Sequence, residues 1–262
     1  MCYRYEQSVE IGNLMKTINE KAGNPSDEFQ ITNRGMSNFL NLVDISLVTR
    51  SGSIFYSGQS AFLEETDLYI LGLNPGGSPL EQATETIQAD MQLSRSMRNE
   101  WSAYQDDAWQ GKEPGSHGMQ PRVLYLLKKM GRDPRKTPSS NVVFVRTNRE
   151  ADLVAEKEAL LTTCWRVHAK VIDTLRIKTI ICFGGTAGLW VREKLNAHDL
   201  IGTFIENNNR RWTNRAHCNA FGQCVITLTH PSIVDWTATA TDPSSFVISM
   251  MTSPRADVNR FT

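Results

Sequence analysis

Three polar side chains of this sequence stand where side chains do chemistry: Asn74, Asn141 and His230. Asn74 sits in Gly72-Leu73-Asn74-Pro75-Gly76, and His230 opens His230-Pro231-Ser232, each directly after an apolar run. In both, a proline follows the functional side chain and stiffens the turn that presents it. Asn141 leads the β-branched run Asn141-Val142-Val143-Phe144-Val145. An amide donates and accepts hydrogen bonds but is essentially non-basic, so Asn74 can orient a reactant but cannot take its proton. An imidazole can donate whether neutral or charged. Each residue also has a plain structural reading: a turn closing a strand, a cap or strand bridge, a strand-end histidine bonding a carbonyl. Their joint occurrence at the ends of three strands is what points to a site.

The elements that must position them alternate. Residues 67–73 form a near-continuous apolar run, the mark of a strand buried on both faces. Residues 78–120 are polar, with Trp101, Tyr104 and Trp109 interspersed, and read as an excursion over that strand's C-terminal end. A helix over 122–130 closes at Gly131, a strand covers 141–145, and a long helix covers about 152–175. A strand over 177–183 turns through Gly184-Gly185 into a helix to about 195, the glycines serving a tight turn in preference to a phosphate site. After a weaker region (201–222) come a strand at 224–229 and a helix starting near Asp242-Pro243. This alternation predicts a three-layer α/β/α sandwich with a central, mostly parallel four-stranded sheet, whose ligands sit beyond the carboxyl ends of the strands. Residues 1–66, broken by polar turns at 23–25 and 51–53, read as an N-terminal extension packed on a core of 67–262, one domain overall.

Composition narrows the classes. The 262 residues carry 28 Lys and Arg against 28 Asp and Glu, which excludes a uniformly basic nucleic-acid coat and a disordered polyelectrolyte. No apolar run approaches the roughly 20 residues of a membrane span, and the first residues hold no apolar leader core, so a cytoplasmic protein is expected. Five cysteines (2, 164, 182, 218 and 224) lie at no zinc or iron–sulfur spacing, which predicts reduced thiols and no metal. The neutral total hides a segregation. Residues 1–121 hold 8 basic and 16 acidic side chains, whereas 122–149 hold eight basic ones, Lys128, Lys129, Arg132, Arg135 and Arg146 among them, against Asp133 alone. That segment is either a solvated helix end with a polar loop or a phosphate-contacting patch. Arg210-Arg211-Trp212 with Arg215 is a second such candidate, or an exposed loop. His168 reads as packing on its helix; His117, His198 and His217 have no partner spacing.

Taken in order, these motifs resemble the uracil-DNA glycosylase superfamily over about 67–235. Gly72–Gly76 and His230–Ser232 are similar to its two signature motifs, Ser140-Asn141-Val142-Val143 to the strand whose Asn reads a base edge, and Ile180–Ala187 to the strand–Gly–helix unit between them. Asn in the first motif with glycine two positions on resembles the mismatch-specific and single-strand-selective branches. The strictly uracil-specific branch has Asp there and a Tyr at the position of Gly76; the cysteine ligand set of the iron–sulfur branch is absent. The resemblance implies a monofunctional, cofactor-free DNA glycosylase, expected to be monomeric, that flips out a pyrimidine and hydrolyses its N-glycosidic bond. Asn74 would hold the water, and His230 would donate to the departing base. Asn141, with Gly72, Leu73 and Gly76, would bind that base; Ser232, Ile233 and Val234 would enter the DNA beside Arg146, Lys128, Lys129, Arg132, Arg135 and Arg211. Gly76 leaves room beside C5, so the base expected is uracil-like or C5-modified, with a bulky phage-type hypermodified pyrimidine and a role in anti-phage defence as the alternative. No lysine in the motifs can form a Schiff base. Two rivals of other classes are a catalytically silent nucleic-acid-binding relative and a nucleoside or nucleotide enzyme on the same scaffold.

Overall fold

A computed structural model describes residues 35–96 and 98–252; Cys2, the turn at 23–25 and residues 253–262 lie outside that range. Six strands form one sheet. β1 (Leu68–Gly72), β2 (Ser139–Asn141), β3 (Thr179–Phe183) and β6 (Cys224–Leu228) run parallel, and β4 (Asp199–Ile205) and β5 (Thr213–Cys218) extend them antiparallel, in the order β2-β1-β3-β6-β5-β4. The expected four-stranded sheet is therefore corrected to a six-stranded mixed one. Three of its parallel strands, β1, β3 and β6, are those that the apolar runs mark; the fourth, β2, precedes the apolar run expected at 141–145 and shares only Asn141 with it. β4 was illegible because it is an edge strand exposed along most of its length, and β5 because Thr213-Asn214-Arg215 opens it with polar side chains.

The parallel strands read as apolar because both faces of the sheet are covered. Tyr69, Leu71, Ile180 and Cys182 enter one core, with residues of α4 (Lys157–Thr174) and α5 (Gly185–Leu195). Leu68, Ile70, Ile181 and Phe183 enter another, with residues of α3 (Gln120–Lys129) and α6 (Ser244–Thr252). The first core also takes in α1 (Met36–Leu40) and the chain after it: Phe39, Ile54, Phe55 and Phe62 are fully buried. Within it, His168 of α4 sits between the Tyr69 hydroxyl, 3.0 Å from Nδ1, and the Val142 carbonyl, 3.3 Å from Nε2. Burial pushes its pKa down to about 4, so the ring is neutral and structural.

Three departures from expectation matter for the site. β2 ends at Asn141; the apolar run beyond it peels away, with the Val142 and Val143 N–H groups donating to the Gly72 and Leu73 carbonyls at 2.9 and 2.8 Å. The long helix begins only at Lys157, because a single 3-10 turn, Glu150–Leu153, precedes it and carries Glu150 to the end of the sheet where the motifs lie. The excursion is not all loop, since α2 (Ile87–Ser96) lies within it. The cysteines also depart from expectation. Cys218 of β5 faces Cys224 of β6 across the antiparallel pair, 4.1 Å apart at Cα, and the two form a disulfide; Cys164 and Cys182 are free and buried. With β5 unrecognised, a six-residue spacing gave no hint of that pairing.

Candidate active site

A cavity of about 1710 Å³ opens at the carboxyl ends of the parallel strands. β1 delivers Gly72, Leu73 and Asn74 to it, β2 Asn141, β3 Phe183, and the turn after β6 delivers His230. The excursion forms the facing wall with Arg98, Trp101, Tyr104, Asp107 and Trp109. All six residues predicted to bind the base or act in catalysis, Gly72, Leu73, Asn74, Gly76, Asn141 and His230, line this cavity; of the three predicted to enter DNA from the turn after β6, Ser232 and Ile233 line it and Val234 does not.

Each key side chain keeps one polar atom uncommitted. The Asn74 amide nitrogen donates to the Thr147 hydroxyl at 2.8 Å and to the Pro75 and Val145 carbonyls at 3.0 and 3.3 Å. That arrangement fixes the amide's orientation and leaves Oδ1 as an acceptor. Asn141 is 95% buried on a relative exposure of 5%; its Nδ2 completes no hydrogen bond among the described residues, although the side chain interacts with the buried Tyr56 hydroxyl. A buried amide donor left unpaired costs about 1–3 kcal/mol, so this atom calls for a ligand acceptor. Gly72 makes the placement possible: a Cβ there would lie 2.1 Å from Asn141 Oδ1.

His230 has its tautomer set by its neighbour. The Ser232 backbone N–H donates to Nδ1 at 3.1 Å, and the Ser232 hydroxyl lies 2.8 Å from the same atom. An Nδ1 that accepts an N–H carries no proton, so the neutral ring holds its hydrogen on Nε2, free to donate. Burial pushes the imidazole pKa below its ordinary value, against an opposing pull from Glu150, so the neutral form is the resting one. Phe183 packs edge-on to the ring, 6.3 Å between centroids. The turn itself is pinned from outside: Arg122 of α3 donates to the Pro231 carbonyl, the Trp236 indole to the Thr229 carbonyl at 3.2 Å, and the Thr229 N–H to Asn214 Oδ1 at 2.6 Å.

The walls differ in what they offer. A Cβ on Gly76 would meet nothing within 4 Å, so the cavity is open at that point. On the excursion wall Arg98 lies 3.9 Å over the Trp101 ring and bonds buried Asp90 at 2.6 Å, while the Trp101 indole donates to Asp107 at 3.0 Å. Tyr104 is buried between Tyr56, Trp109 and Phe183. Burial is also the first cause raising the Asp107 carboxyl above its usual range.

The residues expected on DNA fall in several places. Ile233 is 58% exposed beside the cavity, whereas Val234, at 6%, belongs to the core. Arg146 is spent on the wall itself, donating to the Gly76 carbonyl and to Glu85 at 2.8 Å each. Arg132 pairs with Asp67 at 2.8 Å and Arg135 with Asp106 at 2.5 Å, so acids of the first half neutralise the basic segment. α3 runs from Arg122, beside the His230 turn, towards Asp67 at the start of β1. Its last turn, with exposed Lys128 and Lys129, therefore lies at the end of the sheet away from the cavity. Arg211 does line the cavity, and exposed Arg149 and Arg215 join it; none of these three forms an ion pair among the described residues.

Sequence reasoning missed Tyr56, Thr147, Glu150, Phe183 and Thr186 of the lining, and had Arg149 and Arg215 only as members of candidate basic patches. Phe183 and Thr147 were within reach, because each ends or follows a recognised strand; Glu150 was not, since it read as the polar lead into a helix. Among the described residues no lysine lines the cavity and no group of metal-ligating side chains occurs. No known protein family model matches the chain, and no curated protein does. What the arrangement can do follows from its atoms. It presents two donors, Asn141 Nδ2 and His230 Nε2, to a polar planar ligand, and one acceptor, Asn74 Oδ1, to a water or hydroxyl.

Proposed function

We propose that this protein is a monofunctional DNA glycosylase that flips out a uracil-like or C5-modified pyrimidine and hydrolyses its N-glycosidic bond, leaving an abasic site. The observation that carries the reading is the convergence of Asn74 Oδ1, unpaired Asn141 Nδ2 and His230 Nε2–H on one cavity at the strand ends. The three-layer α/β/α arrangement goes with it, because β1 and β3 send alternate side chains into two cores.

Cleavage builds positive charge on the sugar and negative charge on the base. A neutral His230 donating from Nε2 stabilises that anion; one such preorganised donor is worth about 2.7–4 kcal/mol. Asn141 donates to a base carbonyl, and Asn74 holds the water. With no lysine among the described residues of the lining, hydrolysis rather than β-elimination is the chemistry proposed.

A second reading is favoured by the cavity's size. Ligand pockets usually measure about 300–1,000 Å³, and this one exceeds that range and is open at Gly76. A pyrimidine with a bulky C5 substituent, of the kind that hypermodified phage DNA carries, fits such a space, and excising it would serve defence rather than repair. Incubating the protein with uracil-containing DNA and with modified phage DNA, and counting abasic sites, tests both. Asn74→Ala and His230→Ala serve as controls. DNA binding with no abasic product from either substrate would indicate the silent relative instead.

A further inference from the structure

Hydrolysis of an N-glycosidic bond frees a proton from the attacking water, and the side chains named above cannot take it. The Asn74 amide is non-basic, and His230 has Nδ1 occupied by Ser232 and Nε2 already protonated. Among the described residues four carboxylates line the cavity: Glu85, Asp90, Asp107 and Glu150. Glu85 is engaged by Arg146 and Gln82, at 2.8 and 2.9 Å, and Asp90 by Arg98 and the Ile54 N–H, at 2.6 and 2.8 Å. Asp107 belongs to the excursion wall, bound to Trp101.

Glu150 lies on the strand-end wall and interacts electrostatically with His230. Asn74 holds the Thr147 hydroxyl, which in turn donates to the Arg149 carbonyl at 3.0 Å, and Glu150 is the next residue. Its Oε1 accepts from the Thr186 hydroxyl at 2.6 Å, in the first turn of α5. Two residues before Thr186, Gly184 backs the His230 ring, a Cβ there falling 3.8 Å from His230 Cδ2. Hydrogen bonds and chain neighbours thus link Asn74 to Glu150 and Glu150 to the turn at Gly184 that adjoins His230. Lys157 also bonds Oε1, at 3.2 Å, so both anchors use one oxygen, and Oε2 accepts no hydrogen bond among the described residues.

We propose that Glu150 is a further catalytic residue of this site, its free Oε2 accepting the proton of the water that Asn74 Oδ1 holds; the proposal rests on the glycosylase reading. The C1′–N bond breaks with its electron pair passing to the base, which leaves as an anion stabilised by His230 Nε2–H. The water oxygen bonds to C1′, its proton passes to Glu150, and solvent returns a proton from the carboxyl to the base. Thr186 first, then Lys157, hold the Glu150 carboxyl below the usual carboxylate range, so it is ionised at neutral pH. Water bonded to a cationic carbon is acidic enough for such a carboxylate to deprotonate, and the same charge favours the cationic sugar.

The test is single-turnover base release by the native protein, Glu150→Gln and Glu150→Ala on the DNA substrate that the native protein cleaves. Glu150→Gln keeps the acceptor for Thr186 and is expected to melt and bind DNA like the native protein while losing about 10²–10⁴-fold in rate. In Glu150→Ala, added formate is expected to restore part of the rate, which a merely structural role would not allow. Native rates in both variants, or a loss that formate does not touch, would overturn the assignment of Glu150 while leaving the glycosylase reading intact. Absence of base release by the native protein from every DNA tested would overturn both.

Discussion

The two walls of the cavity are built from similar residue types and end in opposite states. On the strand-end wall, Asn74, Asn141 and His230 each keep one polar atom unspent. On the excursion wall, Arg98, Asp90, Trp101 and Asp107 satisfy one another. A buried polar group left unpaired costs stability, so such atoms persist where a ligand completes them. On the proposed function the difference gives chemistry to the first wall and shape to the second.

Breaking each wall in turn sharpens that division. The largest effect is expected from Arg98→Ala, which leaves Asp90 buried without its cation; removing one partner of such a pair costs about 3–5 kcal/mol. Burial already raises the Asp90 carboxyl above its usual value, with Arg98 opposing. A carboxyl whose folded pKa exceeds its unfolded one binds more protons in the native state, so its contribution to stability falls as pH rises above the unfolded value. The variant should therefore melt far below the native protein at neutral pH and regain part of the gap on acidification, read by thermal melting at several pH values. His230→Ala is expected to leave melting unchanged and to cut base release by about 10²–10³-fold. A loss of both at once would dissolve the distinction between the walls.

The pH profile of the native protein gives a smaller signal on the same axis. Burial lowers the His230 pKa, and Nδ1 must stay unprotonated to accept the Ser232 N–H. Base release should hold steady as pH falls through the ordinary imidazole range and decline only below it. The smallest effects concern DNA grip. Arg211→Ala and Arg215→Ala should each flatten the slope of log affinity against log salt by about 0.9, as one released phosphate contact would. Lys128→Ala and Lys129→Ala, at the far end of α3, should leave that slope unchanged.

How much of this was legible depends on what each residue's signal was. Three of the four parallel strands, β1, β3 and β6, announced themselves because burial on both faces demands unbroken apolar runs, and Asn74 and His230 because each follows such a run before a proline. β2, Ser139-Ser140-Asn141, carries no such run, and the strand expected at 141–145 falls a few residues too late. β4 and β5 carry no such signal: an exposed edge strand and a polar strand satisfy their backbones in the ladder without apolar side chains. The basic segment misled for a different reason. Charge counted along the chain says nothing of the acids it meets in space, and Asp67, Glu85 and Asp106 return from the acidic half to Arg132, Arg146 and Arg135. Glu150 was invisible because its role depends on a 3-10 turn that only the packing of α4 and α5 defines.

The account's central claim is that this cavity excises a pyrimidine base from DNA. It is tested most directly by incubating native protein and His230→Ala in parallel with uracil-containing DNA and C5-hypermodified phage DNA, then measuring free base and abasic sites. The account predicts stoichiometric base and abasic sites from at least one DNA with native protein, and a rate lower by about 10²–10³-fold with the variant. Intact DNA in every native reaction, or equal rates for native and variant, would contradict it.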